Sequence, residues 1–535
     1  MLGLIVAAAA YQVIGRNDGH LVYALDDPYI HMAIAKSLAL DGVWGVSRYF
    51  FSSSSSSPLW TLLLAGSYYL FGVNEIAPLL WNMIFAVACI FFIFYFLNRH
   101  ISKWWLVLPI LSLFIFVTPL PAMIFCGQEH LLHALLTMTF VVSAASILSD
   151  DNIAHQKMPL GKFIKILALA FLVSTVRYEG AFLVFIVALL FALRRRITKA
   201  ILLVVAGALP ISIMGLISMA HGWLFLPNSV LLKGRMPDFF SLSGLVKLII
   251  RPLNLLVGQP ALLIAVLAAL GYYLIRHIRS KNPWGEMTIM AIIFLSVTWL
   301  HLSFAQVGWF FRYEAYLLAL ALLFLPLAWA NHFIKDAPLS GIRLGPTGVI
   351  VVAVMGAVVL APFIARGAIS LGNIPRACSN IYNQQYQMGR FLARYYAGEA
   401  VVLNDIGATD FLVDIKPVDA WGLANMAIAR AIKNHQDVRS VLEYEAQANN
   451  AILAIIYDNF SGADDRGGVP ESWVKIGEWK TLNNLVCYSD VVSFYAIEPE
   501  TAPQLKVELA EFSKSLPDEM TSKIEHNESE PPPQK

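Results

Sequence analysis

Long apolar runs separated by short charged segments dominate this chain. They fall at roughly 1–16, 77–97, 104–122, 129–149, 163–176, 180–193, 200–221, 258–276, 286–307, 314–334 and 346–365. A bilayer core about 30 Å thick takes about 20 apolar residues of helix to cross, so the pattern predicts about eleven transmembrane helices. A further stretch, "SPLWTLLLAGSYYLFG" (57–72), is apolar enough to be counted with them. Basic residues decide against it, because Lys and Arg collect in the loops on one side of a membrane. With 57–72 left out, Arg99 and Lys103, then Lys157, Lys162 and Lys165, then Arg194, Arg195, Arg196 and Lys199, then Arg276, Arg279 and Lys281, then Lys335 and Arg343 share one side. Counting it as a span moves "LRRRITK" and the other clusters to the opposite side. The prediction is a helix at 57–72 that lies along or dips into the outer interface, with the N-terminus in and the C-terminus out.

The outer side then receives the Asp26–Gly72 loop, "CGQEH" (126–130), "RYEG" (177–180), "LPNSVLLKGRMP" (226–237) and "GWFFRYEAY" (308–316). A passive bundle has no reason to gather polar residues on one face. From about Asn373 the pattern changes to that of a soluble domain. "NIYNQQYQMGRFLARYYAGE", "ANMAIARAIK" and "VRSVLEYEAQANN" predict helices; "AVVLNDIGATDFL" predicts strand then turn; "AILAIIYDNF", "WVKIGEWK" and "VVSFYAIEP" predict strands. Alternating helix and strand suggests a small α/β domain. The charged end reads as a disordered tail, and Ser52–Ser57 as a flexible linker between two interfacial helices. The expected fold is thus a polytopic α-helical membrane protein, residues 1–366, with an extracytoplasmic α/β domain, 367–500, and a disordered tail, 501–535.

Composition agrees. The 535 residues are 58% hydrophobic and 14% charged, with mean hydropathy +0.64, against roughly 25% charged in soluble chains. A net charge of +2 says little about partners, and nothing points to nucleic acid. The first run lacks a basic n-region and a small-residue cleavage site, so it reads as no cleavable leader. Being short for a span, it also suggests a start inside the first helix. Cys89 and Cys126 read as small buried hydrophobes. Cys378 and Cys487 could pair if their domain lies outside the cytoplasm.

"DDPYIHMAIAKSLALDG" followed by "SSPLWTLLLAG" resembles the first outer loop of GT-C-type membrane glycosyltransferases. The similarity is nearest to mycobacterial arabinofuranosyltransferases that use a polyprenyl-phosphate sugar, and more distant to lipid A aminoarabinose transferase and protein O-mannosyltransferases. In that superfamily an acidic pair opens the loop and a Pro-Leu-x-x-x-Leu helix lies along the membrane. "CGQEHLLHALL", "RYEG", "LPNSVLLK" and "VVLNDIGATDFLVDIKPVDAWGLANMAIAR" follow in the family's order and on its side. Tyr178 stands where the family has proline, and Gln128 and His130 flank Glu129 unusually.

The resemblance implies sugar transfer from a polyprenyl-phosphate donor to the hydroxyl of an extracytoplasmic glycan, lipid or protein. Such a reaction takes a base for the acceptor proton, cations for the phosphate and a groove for the isoprenoid. Asp26 is the expected base, because a partly desolvated carboxylate is a suitable one. Asp27 would position it, cap the helix after Pro28 or ligate a metal. Glu129 would orient the acceptor or, with Asp26 and Asp27, hold a divalent cation (Mg, Mn or Ca). It could equally occupy a helix first turn. Lys233, Arg312, Arg177 and His31 are the phosphate candidates. Each could instead be an interfacial residue, with Arg177 paired to Glu179. Arg235 reads as a surface charge, His301 as a packing residue, and Trp223, Trp309, Phe310 and Phe311 as an aromatic belt. The expected location is the bacterial cytoplasmic membrane, with site and domain facing outward. A lipid-diphosphate-dependent polymerase or ligase would use similar basic residues without an acidic pair. A secondary transporter would place its ionisable groups at the midplane.

Overall fold

Proline opens helices in this chain more often than it breaks them. Its fixed φ and missing N–H suit a first turn, and it stands there at Pro28, Pro58, Pro78 and Pro121. The computed structural model describes residues 1–101, 104–150, 158–234, 241–279, 284–331, 346–458 and 468–525. Lys103, Lys157, Arg235, Lys281, Lys335, Arg343 and the chain from 526 lie outside the described residues, as does the side chain of Lys233.

The helices before the outer domain run α1 Leu2–Arg16, α2 Asp27–Asp41, α3 Pro58–Phe71, α4 Ala77–Asn98, α5 Val107–Val117, α6 Leu120–Cys126, α7 His130–Ser149, α8 Leu160–Val176, α9 Gly180–Leu193, α10 Ile197–Ala220, α11 Asn228–Lys233, α12 Leu242–Val257, α13 Pro260–Arg279, α14 Glu286–Phe304, α15 Ala315–Asn331 and α16 Pro346–Ile381. Among the described residues, seven helical segments are long and apolar enough to cross a bilayer, and α1, α9 and α15 are shorter apolar helices. The protein is a multi-pass helical membrane protein. Helix α12 had no counterpart in the sequence reading. It has 16 residues, fewer than the about 20 that a span takes, and its exposed Leu245, Ile249 and Leu253 recur at helical spacing.

The bundle has two poles. At one, the Arg194 guanidinium donates to the Leu148 carbonyl (2.7 Å) and stacks on Trp284. At the other sits the outer domain. Both ends of α3 meet that domain. Ser54, just before the helix, donates to the Leu423 carbonyl (3.0 Å), and Glu75, just after it, accepts from Tyr386 (3.2 Å). A helix of 14 residues, about 21 Å long, whose two ends touch one domain does not cross the bundle. This is the arrangement expected of an interfacial helix. It packs on α2, burying Trp60, Leu64 and Tyr68.

Helix α16 carries 36 residues, about 54 Å, far more than the roughly 30 Å of bilayer core. It runs on through a π turn, Tyr382–Tyr386, into α17, Gln387–Tyr395. The expected boundary at 366/367 therefore falls inside one continuous rod. Phe391 on α17 meets Trp479, Phe494 and Phe512 edge-on, at centroid distances of 5.8, 5.5 and 5.4 Å. That geometry adds about 0.5–1.5 kcal/mol per pair to burial.

The outer domain is a six-stranded mixed sheet in the order β2-β1-β3-β5-β4-β6. Strands β1 Ala400–Leu403, β2 Lys416–Asp419 and β3 Leu453–Ile456 are parallel; β4 Val474–Thr481, β5 Val491–Ala496 and β6 Met520–Ile524 are antiparallel neighbours. Short helices α18 Ala408–Leu412, α19 Met426–Lys433 and α20 Val438–Ala448 make the crossovers, and α21 Ala502–Ser513 precedes β6. The expected disordered tail is thereby corrected over 502–524. Helix α21 buries Leu505, Leu509 and Phe512, and β6 pairs with β4 from Met520 to Ile524. The serine linker is also corrected, since Ser52, Ser53, Ser54, Ser55 and Ser57 are buried. All four cysteines are buried and free, so Cys378 and Cys487 form no disulfide.

Single cysteines at Tyr49, 40% exposed ahead of α3, and at Arg195 should label with an impermeant reagent from opposite sides of the membrane. Labelling from the same side would show that α3 crosses.

Candidate active site

A cavity of about 1030 Å³ opens between the outer-domain pole of the bundle and the domain itself. Asp27, His31, Gln128, Arg177, Glu179 and Arg312 supply its charged and polar wall. Ile211, Val230, Leu231 and Phe304 supply an apolar one, and Leu423, Ile432, Lys433 and His435 close it from α19 and its flanks.

Each charged residue stands at a helix end. Asp27 is the first residue of α2. Gln128 and Glu129 lie in the turn between α6 and α7. Gly127 makes that turn possible with φ +65°, and a Cβ there would come within 2.6 Å of the Tyr23 ring. Arg177 and Glu179 fill the break between α8 and α9, and Arg312 precedes α15.

The charges are paired throughout. Arg312 Nη2 donates to Asp27 Oδ2 at 2.5 Å and to the Tyr313 hydroxyl at 2.9 Å, while its Nη1 donates to Gln128 Oε1 at 2.5 Å. Its Nε is buried without a hydrogen-bond partner. Arg177 clasps Glu179 through Nε (3.1 Å) and Nη2 (2.7 Å), and reaches Glu129 Oε1 through Nη1 at 2.5 Å. Burial would raise the Glu179 carboxyl, but the Arg177 guanidinium holds it down to about 2. Glu129 is wholly buried. Its Oε2 lies 3.8 Å from His31 Nε2, beyond hydrogen-bond range. His31 Nδ1 is within 3.0 Å of the Thr61 hydroxyl and 3.4 Å of that of Ser55. Behind this layer Arg366 pairs with Glu314 (2.7 Å) and donates to the Val117 and Phe311 carbonyls, fixing the 305–314 loop.

Asp26 faces the other way. Its Oδ2 accepts from the Gly407 N–H (2.9 Å) and its Oδ1 from the Ala408 N–H (2.8 Å). Neither Asp26 nor Asp27 caps α2 with its side chain: the N-cap position is Asp26, and it makes no such bond. Of the expected site residues, the structure brings Asp27, His31, Arg177 and Arg312 to the cavity wall, with Glu129 buried behind Arg177. Asp26 is on the domain interface. Lys233 ends α11, whose Val230, Leu231 and Leu232 line the cavity. His301 is a satisfied packing residue: its Nε2 donates to the Gln306 carbonyl (2.9 Å) and its Nδ1 accepts from Tyr316 (3.2 Å).

The three carboxylates suggested for a divalent cation do not fit one. Asp26 accepts from two amides, Asp27 from Arg312 and Glu129 from Arg177 through Oε1, its Oε2 being buried without a hydrogen-bond partner. Among the described residues no group of three or more His, Cys, Asp or Glu side chains is placed to hold a metal.

Sequence reasoning missed the serine run. The Ser53 hydroxyl accepts from that of Ser218 (2.9 Å) and the Ser53 carbonyl from the Asn228 N–H (2.9 Å), the Ser54 hydroxyl donates to the Leu423 carbonyl, and Ser54 and Ser56 line the cavity. A repeat of one small polar residue reads as low complexity, yet hydroxyls can satisfy a buried strip without adding charge.

A family described as a domain of unknown function (DUF8728) matches residues 379–495, the greater part of the outer domain. No curated protein matches the chain by sequence. Two solved proteins share its outline at 12% identity. The archaeal oligosaccharyltransferase AglB from Archaeoglobus fulgidus, in complex with an inhibitory peptide and a dolichol-phosphate, aligns over 85% of this chain and 69% of its own with TM-score 0.47. ArnT from Cupriavidus metallidurans, bound to undecaprenyl phosphate, aligns over 94% and 98% with TM-score 0.48.

Buried carboxyls at the domain interface generate a pH prediction. Burial, with Asp405 adding to it, pushes Asp419 up to about 7 even though the amides of Ala424 and Trp421 bond to it. Burial likewise raises Asp26 and Asp410. An unfolded aspartate titrates near 3.9. The stabilising share of Asp419 is therefore full below about 4, falls as pH rises through about 7, and is lost above it. Calorimetric melting of the outer domain should be higher at pH 5 than at pH 8, and Asp419→Asn should flatten the difference. A melting temperature that rises between those values would contradict it.

Proposed function

We propose that this protein is a membrane glycosyltransferase of GT-C type that moves a monosaccharide from a polyprenyl-phosphate carrier to an acceptor hydroxyl at the outer face of the bacterial cytoplasmic membrane. The proposal includes eleven passes, an inside N-terminus and an outward-facing domain. One observation carries it: a single cavity brings a carboxylate, Asp27, and an arginine with an unsatisfied buried nitrogen, Arg312, beside an apolar wall at the end of the bundle. The carriers held by the two solved proteins above are lipid phosphates, which is the ligand class this wall and this arginine suit.

In this reading the isoprenoid lies against Ile211, Val230, Leu231 and Phe304, and its phosphate meets Arg312. Lys233, whose side chain lies outside the described residues, is the second cation proposed for that phosphate. Phosphate competes with Asp27 for the Arg312 guanidinium, whose fork suits either anion. Asp27, 20% exposed to the cavity, is then the base. It takes the acceptor proton as the acceptor oxygen bonds to the anomeric carbon. The bond from that carbon to the phosphate oxygen breaks, giving inversion and polyprenyl phosphate. Arg177, held by Glu129 and Glu179, keeps positive charge in place without being free to move, and His31 braces the serine run behind Asp27. The base role passes from Asp26 to Asp27, because Asp26 lines no part of the cavity. No step is routed through a metal. The outer domain covers the acceptor side through Lys433 and His435.

Incubating purified protein with a panel of labelled polyprenyl-phosphate sugars and with diphosphate-linked glycans tests the donor class. Transfer only from the diphosphates would favour a polymerase or ligase. Asp27→Asn should lower kcat by about 10²-fold or more, as for loss of a general base, with donor affinity nearly kept. Arg312→Ala should weaken donor binding by about 1.5–3 kcal/mol, the range for hydrogen bonds to charged groups. Normal turnover in Asp27→Asn would remove it from the mechanism.

A further inference from the structure

The parallel part of the outer sheet has its switch point at β1, because the chain passes from β1 to β2 on one side and then to β3 on the other. In α/β sheets the crevice beyond the carboxyl ends of such strands is where a ligand ordinarily binds. Here it receives a residue of the membrane domain. Gly407 and Ala408 follow β1, and their two N–H groups converge on the Asp26 carboxylate at 2.9 and 2.8 Å. A side chain on Gly407 would not fit: a Cβ would lie 2.5 Å from Asp26 Oδ2 and 2.6 Å from its Cγ. Around this contact Asp405, at the end of β1, is held by Gln385 (2.8 Å) and Tyr457.

We infer that Asp26 is a positioning residue: its carboxylate caps the outer domain in trans, across 381 residues of sequence, and so fixes the first residue of α2, Asp27, against Arg312. The docking stands on geometry alone; its effect on turnover rests on the reading of the cavity as an active site. Two amides aimed at two carboxylate oxygens leave no place for an amide or hydrocarbon side chain. Asparagine puts an NH₂ against an N–H, and alanine strands both donors in a buried setting. Other links between loop and domain include Lys36 with Asp414 (2.9 Å) and the Phe411 carbonyl (3.1 Å), Ser47 with the Ile415 carbonyl (2.8 Å), Ser54 with the Leu423 carbonyl (3.0 Å) and Glu75 with Tyr386 (3.2 Å). They keep an Asp26 variant assembled while its loop end loosens.

The test uses the full chain. In Asp26→Asn and in Gly407→Ala, hydrogen exchange at the amides of 407 and 408 should speed up by about tenfold or more, the scale expected on losing a charge-assisted pair. This readout needs no substrate, so it survives failure of the proposed reaction. With a donor that supports transfer, Gly407→Ala should reproduce the loss of turnover in Asp26→Asn, and the double variant should lose no more than either. Joining Lys36→Cys to Asp414→Cys with a short bismaleimide cross-linker, feasible because the native cysteines are buried, should restore most turnover to Asp26→Asn. Rescue separates positioning from proton transfer, since no cross-link replaces a base. Unchanged exchange in both variants overturns the docking. Faster exchange with full turnover in Gly407→Ala, or no rescue on cross-linking, overturns the coupling to Asp27.

Discussion

Charge can be buried at the mouth of a helical bundle only if it is paired, and this constraint shapes the polar pole. A lone ion taken out of water costs several kcal/mol, so each arginine there arrives with its carboxylate. Arg177 has Glu179 and Glu129, Arg312 has Asp27, and Arg366 has Glu314. The partners come from helix ends far apart in sequence. Arg312 joins α2, the turn before α7 and the approach to α15 in one set of hydrogen bonds. The ion pairs specify a unique meeting of segments that apolar packing alone would leave free to slide.

The same constraint separates two adjacent aspartates. Successive residues at the head of a helix point about 100° apart, so one of the pair can face the bundle while the other faces the domain. Asp27 meets a guanidinium and Asp26 meets amides. Sequence alone shows the pair and not the rotation, so it does not tell which of the two lines the cavity. Arg177 with Glu179 was legible, because two residues of opposite charge in one short break have few other partners.

Other parts of the fold were legible in proportion to how much apolar surface each element buries. Bundle helices and strands β1, β3 and β5 carry apolar runs that leave few alternatives. The failures share a cause. Strand β6, "MTSKI", is an edge strand with exposed Thr521, Ser522 and Lys523, so its membership depends on backbone pairing with β4, to which composition is blind. Strand β2 contains Pro417, which argues against a strand except at an edge, and an edge is where it lies. The serine run failed similarly: its burial is set by what surrounds it, α10, α11 and the 423 turn, none of them adjacent in sequence.

Rigid continuity completes the physical picture. Because α16 passes from the bundle into the sheet without a linker, the outer domain is held at two places, by this rod and by the contacts of the Asp26–Gly72 loop. A domain tethered by a flexible segment would have to pay the entropy of docking at each turnover. One held by a rod has only its loop contacts to make or break. On the proposed reading, a donor phosphate that draws Arg312 away from Asp27 acts on a carboxylate whose neighbour is already fixed by Gly407 and Ala408. The exchange of one anion for another on a single guanidinium then needs no large motion. What remains adjustable is the gap beneath Lys433 and His435, where an acceptor would arrive.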